Sequence, residues 1–244
     1  MPELALRFAG VVKNYGRAPA LRNVTFEVER GEFFGLVGVN GAGKTTLLKC
    51  LLDFCDINGG SIEIFGTPHH QPAARKRLSF LPERFTPPYY LTGEDFIRYV
   101  LDMQAAPYDR GATEQMLRRL DLDRAVLAQP VRAYSKGMTQ KLGLAACVLA
   151  RKDLYILDEP SSGLDPRAHA LLKAQLLELK QEARTVLFTS HALADVAELC
   201  DRVAVIHAGT LRYLGTPAAL CAQYSCSDLE QAFLRCIDGA AQPA

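Results

Sequence analysis

Neither sign of charge prevails in this sequence: 28 Lys and Arg stand against 27 Asp and Glu, a formal net charge of +1. A chain-wide basic footprint is therefore missing, and no nucleic-acid partner is expected. Long apolar runs are missing too. The nearest approach, LGLAACVLA from Leu142 to Ala150, falls short of the roughly 18 residues that a membrane span needs, so any membrane role is expected to pass through a partner. The opening MPELALRFAG has no basic segment followed by an apolar run, and no secretory signal is expected from it. Cysteine is present but unpatterned. Cys50, Cys55, Cys147, Cys200, Cys221, Cys226 and Cys236 are odd in number and scattered, often inside apolar stretches, which predicts reduced, buried thiols in a cytosolic protein.

What is present is enough for a substantial core. At 244 residues and 49% hydrophobic, the chain holds one large domain or a domain with a sizeable insertion. Up to about Phe65 it reads as strands punctuated by glycine: ALRFAGVVKNYG, NVTFEVERGEFFGLVG and GSIEIFG, with one helix from Lys44 to about Leu52. From roughly Pro87 to Pro130 the pattern turns helical, as in GEDFIRYVLDMQ and TEQMLRRLDL, and predicts a helical insertion. Buried strands then alternate with helices. LYILDE, a helix with Leu172, Leu176 and Leu179 on one face, TVLFTSH, a further helix and RVAVIHAG predict βαβ units on a parallel sheet. The end, SDLEQAFLRCIDG, predicts a docked helix with Leu229, Phe233 and Ile237 on its apolar face, followed by a frayed AAQPA.

GVNGAGKTT, Gly38 to Thr46, follows the apolar strand FFGLV and precedes LLKCLL. It fits G-x-x-x-x-G-K-[ST] in the strand-loop-helix setting that a phosphate-binding loop requires. Glycines let the backbone wrap phosphates closely, and the helix N-terminus adds its dipole. Lys44 supplies a cation for the β and γ phosphates, and the Thr45 hydroxyl can ligate Mg²⁺. LYILDEP then delivers Asp158 and Glu159 at the carboxyl end of a buried strand, where ligands sit in open α/β sheets. Asp158 is placed to hold the metal shell. Glu159 is placed to polarise an attacking water.

A second anion site is predicted in AYSKGMTQK, Ala133 to Lys141. Ser135 and Gly137 stand at the mouth of a helix whose apolar residues Met138, Leu142, Ala145, Ala146 and Leu149 recur at helical spacing. Unpaired N–H groups and the positive end of the dipole face outward there. Lys136 adds a charge at that mouth and is expected to face solvent.

Taken in order, GVNGAGKTT, LPE, YSKGM, LYILDEP, SGLD and His191 after a strand resemble the ATP-binding subunit of ABC transporters, over about residues 4 to 237. The resemblance implies an α/β fold of the P-loop ABC ATPase type: a mixed β-core, an inserted helical subdomain over about residues 84–150, and an additional antiparallel β-subdomain. It implies a single domain over residues 1–237 with a flexible tail at 238–244. It assigns Tyr15 to stacking on adenine; Gly38, Asn40, Gly41, Ala42, Gly43, Lys44, Thr45 and Thr46 to the Walker A loop; and Asp158 and Glu159 to Walker B. Gly163, Leu164 and Asp165 match the D-loop, and His191 the switch histidine that meets the γ-phosphate. Ser135, Lys136, Gly137 and Met138 match the signature that completes the site of a second subunit, which explains why one chain carries two anion sites. ATP and Mg²⁺ are the implied cofactors. The implied partners are a transmembrane permease and a second ATP-binding subunit, at the cytoplasmic face of the membrane. Two positions depart from the family pattern. Glu83 stands where a glutamine is usual, with a carboxylate for Mg²⁺ or water, and YSKGM replaces LSGGQ in a form resembling a bacterial exporter branch. Phe85, Tyr89 and Tyr90 are expected to be exposed and to receive a helix of the permease. Soluble ABC ATPases of DNA repair or translation usually carry coiled-coil inserts, zinc modules or tandem halves, none of which this sequence shows. A regulatory module without turnover is disfavoured by Glu159 and His191.

Overall fold

Five uninterrupted buried residues, FFGLV, set the centre of the molecule, because a strand apolar on both sides must be covered on both faces. The computed structural model describes residues 3–239. Its elements run β1 (Leu4–Tyr15), β2 (Ala18–Glu29), β3 (Phe33–Val37), α1 (Lys44–Leu51), β4 (Gly59–Ile64), β5 (Thr67–Pro68), α2 (Pro72–Arg75) and β6 (Leu78–Leu81). Helices α3 (Gly93–Met103), α4 (Arg110–Arg119) and α5 (Lys136–Leu149) follow, with two short 3₁₀ turns between the last two. The chain then alternates through β7 (Leu154–Asp158), α6 (Pro166–Gln181), β8 (Thr185–Thr189), α7 (Leu193–Leu199) and β9 (Arg202–His207). It finishes with β10 (Thr210–Gly215), α8 (Pro217–Gln223) and α9 (Leu229–Asp238).

Two sheets form. One is antiparallel, in the order β2-β1-β4-β5; the other has six strands in the order β10-β9-β3-β8-β7-β6, parallel except for β10. Alternate residues of the six-stranded sheet serve different cores, as the pleat dictates. Phe34, Leu36, Ile156 and Leu187 pack with α1 and the antiparallel sheet, while Phe33, Val37, Tyr155, Leu157, Val186 and Phe188 pack against the later helices. Helix α1 thus lies between the sheets. Its Leu47, Leu48 and Leu51 are buried.

The expected helical insertion is α3 to α5, between the adjacent parallel strands β6 and β7. Leu172, Leu176 and Leu179 are buried on α6, and Leu229 and Phe233 on α9, with Ile237 packed beside them. α9 continues to Asp238, and Gly239 closes it in the left-handed conformation, so the tail expected from 238 does not start there; the residues from 240 onward, the whole of the expected frayed AAQPA, lie outside the described residues. Phe85 corrects the expectation of an exposed aromatic. Its ring lies edge-on to Phe96 at 5.4 Å, in a slot that exists because Gly143 has no side chain: a Cβ there would stand 2.7 Å from the ring. The cysteines are all free, but Cys55, Cys221 and Cys226 are only half-buried, against the expectation that all would be buried. Among the described residues no helix is long and apolar enough to cross a membrane.

Candidate nucleotide site

The phosphate loop connects β3 to α1, and two of its glycines are dictated by geometry. A Cβ on Gly38 would stand 2.4 Å from the carbonyl oxygen of Ile206 on β9, so only glycine lets the loop leave the sheet there. Gly43 holds φ at 115° and caps α1 without a side-chain bond to its first N–H groups. Those donors remain free for an anion. Lys44 folds back over the loop, and its ammonium donates to the Gly38 carbonyl at 2.5 Å. Burial pushes that ammonium below the usual lysine range, while the carboxylates of Glu159, Asp158 and Glu83 pull it back.

Strands β7 and β8 end side by side, with Asp158 beside Thr189 in register. The Thr189 hydroxyl donates to Asp158 Oδ1 at 2.7 Å and accepts from the Glu159 backbone N–H at 2.8 Å. One hydroxyl therefore fixes both acidic positions. Burial raises the Asp158 carboxyl above the ordinary range, and the Thr189 bond opposes that shift. Glu159 turns the chain at φ 48°, in the left-handed region. Its Oε2 accepts from the His191 backbone N–H at 3.1 Å. The His191 ring nitrogen Nε2 stands 3.2 Å from Oε1, yet without the alignment of a hydrogen bond, so Oε1 is buried with no hydrogen-bond partner. Burial is also the main cause of the raised Glu159 carboxyl, with His191 opposing it.

These groups face one cleft of about 460 Å³, lined by Asn40, Gly41, Ala42, Gly43, Lys44, Thr45 and Thr46 together with Glu83, Asp158, Glu159 and His191. Pro19, Ala20 and Arg22 of β2 and Ala208 and Gly209 of the β9-β10 turn line the same cleft. The arrangement offers an anion backbone donors and the cations of Lys44 and Arg22, with carboxylate oxygens beside them.

A model of the ABC transporter family matches residues 21–162, the span from β2 through the Walker B turn. The chain belongs to the ABC transporter family. An uncharacterised ABC transporter ATP-binding protein of Synechocystis is 37% identical over 83% of this chain and 58% of its own length. Thus the chain spans less than two thirds of that relative. The Nod factor export ATP-binding protein I of Paraburkholderia xenovorans is 35% identical over 94% of this chain and 77% of its own. A solved structure described as the ATP-binding subunit of an ABC transporter superposes with a TM-score of 0.87 at 29% identity, covering 95% of this chain and 99% of that one. The two-sheet, helix-inserted architecture is that of the ABC ATPase domain, a domain that binds ATP.

Within that ABC fold the other family positions stand apart from the cleft. Tyr15 is half-exposed at the end of β1 and does not line it; its hydroxyl lies 3.9 Å from the Cys55 sulfur. Ser135 caps α5, accepting from the Met138 N–H at 3.2 Å, while Gly137 meets open space. Lys136 is exposed, as expected, but its ammonium reaches over Gly163: a Cβ on that glycine would stand 2.6 Å from it. Asp165 caps α6 by accepting from the Ala168 N–H at 2.9 Å, and that bond lowers its carboxyl. Leu164 packs on the helical core. Sequence reasoning missed Thr189, and also Gln140, which donates from α5 to the Pro160 carbonyl at 3.3 Å and ties the signature helix to the Walker B turn. The only signal for Thr189 was a polar residue ending TVLFT, two positions before His191.

Proposed function

We propose that this chain is the ATP-hydrolysing subunit of a transporter, working as a pair of ATP-binding subunits that sandwich two ATP molecules and drive a membrane permease. The observation that carries the reading is the buried, unpartnered Oε1 of Glu159 facing the same cleft as the phosphate loop. A carboxylate of raised basicity with a free lone pair can hold and deprotonate a water aimed at a terminal phosphoryl group. Lys44 and the N–H groups of residues 40–46 bind the phosphates, and Gly38 positions Lys44 through its carbonyl. His191 stands half-exposed beside Glu159 and orients it through its backbone N–H.

The donor set fits Mg²⁺, a cation that prefers oxygen and commonly takes one or two protein groups plus phosphates. Thr45, Asp158 and Glu83 offer such oxygens to the cleft, and among the described residues no cluster of three or more His, Cys, Asp or Glu could hold a metal without the phosphates. Thr45 and Asp158 would hold the ion, with Glu83 facing it directly or through water. The chemistry the ion would supply there is neutralisation of phosphate charge and polarisation of the terminal phosphoryl group.

Ser135, Lys136, Gly137 and Met138, with Gly163, Leu164 and Asp165, are assigned to the site of the second subunit, and Tyr15 to the adenine. The exposure of the α5 mouth supports this, because its own chain brings no phosphate loop to it. ATP closes the pair by binding the closed state better than the open one. We assign residues 1–237 to one domain and 84–150 to its signature subdomain; the expected tail of 238–244 would start inside α9, which runs to Asp238 and is capped by Gly239. The docking face for the permease is assigned to Tyr89 and Tyr90, which are 68% and 70% exposed, at the cytoplasmic face of the membrane. The likeness to an export protein favours export. The test is hydrolysis of MgATP by the purified chain together with the membrane protein that copurifies with it; no Mg²⁺-dependent turnover in that complex would refute the reading.

A further inference from the structure

Two thiols meet beside the phosphate-binding helix, in a place that the nucleotide reading does not use. Cys50 lies on α1 and is fully buried, and Cys55 is half-buried in the turn after it. Hydrogen bonds from the Asp53 N–H to the Cys50 carbonyl and from the Phe54 N–H to the Lys49 carbonyl, 3.1 and 2.8 Å long, fold that turn back on the helix. The two sulfurs are 3.6 Å apart. Cys55 also reaches Tyr15, sulfur to phenol oxygen at 3.9 Å, and Tyr15 neighbours Thr46 on the first turn of α1. The ammonium of Lys13, held by the Asp56 carbonyl at 2.5 Å, faces the pair and lies 5.2 Å from the centre of the Tyr15 ring. The thiols, Tyr15 and the start of α1 are one contiguous cluster.

We propose that Cys50 and Cys55 are an oxidisable dithiol that closes to a disulfide with peroxide and weakens nucleotide binding at the adjoining site. This rests on the assignment of Tyr15 and the phosphate loop to a nucleotide. Cys55, the more exposed thiol, reacts first. Its thiolate attacks one peroxide oxygen, the O–O bond breaks, and the departing hydroxide takes up the thiol proton as water, leaving a sulfenic acid. The Cys50 sulfur then attacks the sulfenic sulfur. The S–S bond forms, the S–O bond breaks, and the hydroxide leaves with the Cys50 proton as a second water. Two sulfurs together lose two electrons and one peroxide gains them. Burial pushes the Cys50 thiol up to about 12, so it is not the thiol that meets the peroxide first; its 3.6 Å approach to Cys55 places it for the second step.

A disulfide requires the sulfurs at about 2.05 Å. Cys50 is locked in the core between the sheets, so Cys55 must make the approach, by roughly 1.5 Å, and in the disulfide it no longer carries the S–H that it can offer the Tyr15 phenol. The phenol loses a partner that holds it over the start of α1.

The peptide from Cys50 to Arg75 carries both thiols and no other cysteine, so tryptic mapping reads the bond directly. Purified full-length protein is treated with hydrogen peroxide, alkylated and mapped, and a fluorescent trinitrophenyl-ATP is titrated into reduced and oxidised samples. The expected result is protection of both cysteines in that peptide, reversible by dithiothreitol, with a Kd raised roughly threefold. Cys55→Ser should lose both the protection and the response to peroxide. A peptide that remains alkylated at both thiols overturns the proposal, as does a disulfide that leaves Kd unchanged. If the reduced protein fails to bind the analogue, the nucleotide reading and the coupling fall together, and the peptide map separates that result from the absence of a disulfide.

Discussion

Replacing Thr189 with valine isolates the contact that holds the two acidic residues of the cleft. Valine keeps the shape of threonine at a site with no solvent exposure, so packing is nearly unchanged and the hydroxyl alone is lost. Two bonds go with it: the donor to Asp158 Oδ1 at 2.7 Å and the acceptor for the Glu159 N–H at 2.8 Å. A hydrogen bond to a charged group is worth about 1.5–3 kcal/mol, and a buried N–H left unsatisfied costs about 1–3 kcal/mol. Because one hydroxyl serves both, the sum is not additive, and we expect a loss of about 3 kcal/mol near neutral pH. The loss should depend on pH. The Asp158 carboxyl is already raised in the folded chain, chiefly by burial, so the stability linked to its proton is full below the unfolded pKa and falls as pH rises through the folded one. Without Thr189 the folded pKa rises further, and the valine variant should fall behind the parent increasingly as pH rises above the ordinary carboxylate range. Urea unfolding of both proteins at several pH values measures this, and an Asp158→Asn background should remove most of the pH dependence. A loss below about 0.5 kcal/mol, or one independent of pH, would refute the claim that this hydroxyl holds a buried carboxylate.

Other perturbations separate binding, chemistry and packing. Glu159→Gln keeps the shape of the side chain and removes the base, so MgATP binding should persist, hydrolysis should fall at least ~100-fold, and an ATP-stabilised dimer should accumulate on a sizing column. Lys44→Ala removes the cation seated on the Gly38 carbonyl, and ATP affinity measured by calorimetry should drop by roughly 30-fold or more. Gly38→Ala forces a Cβ to 2.4 Å from the Ile206 carbonyl oxygen and should cost at least ~2 kcal/mol in urea unfolding, with nucleotide binding impaired. Phe85→Ala should destabilise the chain by about 2–3 kcal/mol because it empties the slot over Gly143. Tyr89→Ala should change stability by less than ~0.5 kcal/mol and, on the proposed docking face, act only on association with a membrane protein, which pull-down from membranes would detect.

The contrast between Phe85 and Thr189 shows where the sequence was legible and where it was not. The conformation of the loop from Gly38 to Thr46 could be read because its requirements are local: a strand, glycines where the backbone must turn closely, a lysine and a hydroxyl at the helix start. Both central glycine constraints were found in place, Gly43 by its φ and Gly38 by its approach to Ile206. The placement of Asp158 and Glu159 was equally legible, since LYILD is apolar until the position that faces the cleft. Phe85 sits in PERFTPP, where prolines erase any period, and its burial is decided by a glycine on a distant helix. Thr189 carries no local signal for its task, because its partner Asp158 is 31 residues away in the chain and becomes adjacent only when β7 pairs with β8. The same limit applies to FFGLV. Five apolar residues in a row announce a doubly covered strand, yet not that Phe33 faces the helices while Phe34 faces α1 and the antiparallel sheet. That division matters to the site. By seating α1 between two sheets it fixes the N-terminus of the helix, and with it Lys44, against the strand ends that present Asp158 and Glu159, so the cleft is assembled by the same packing that closes the core.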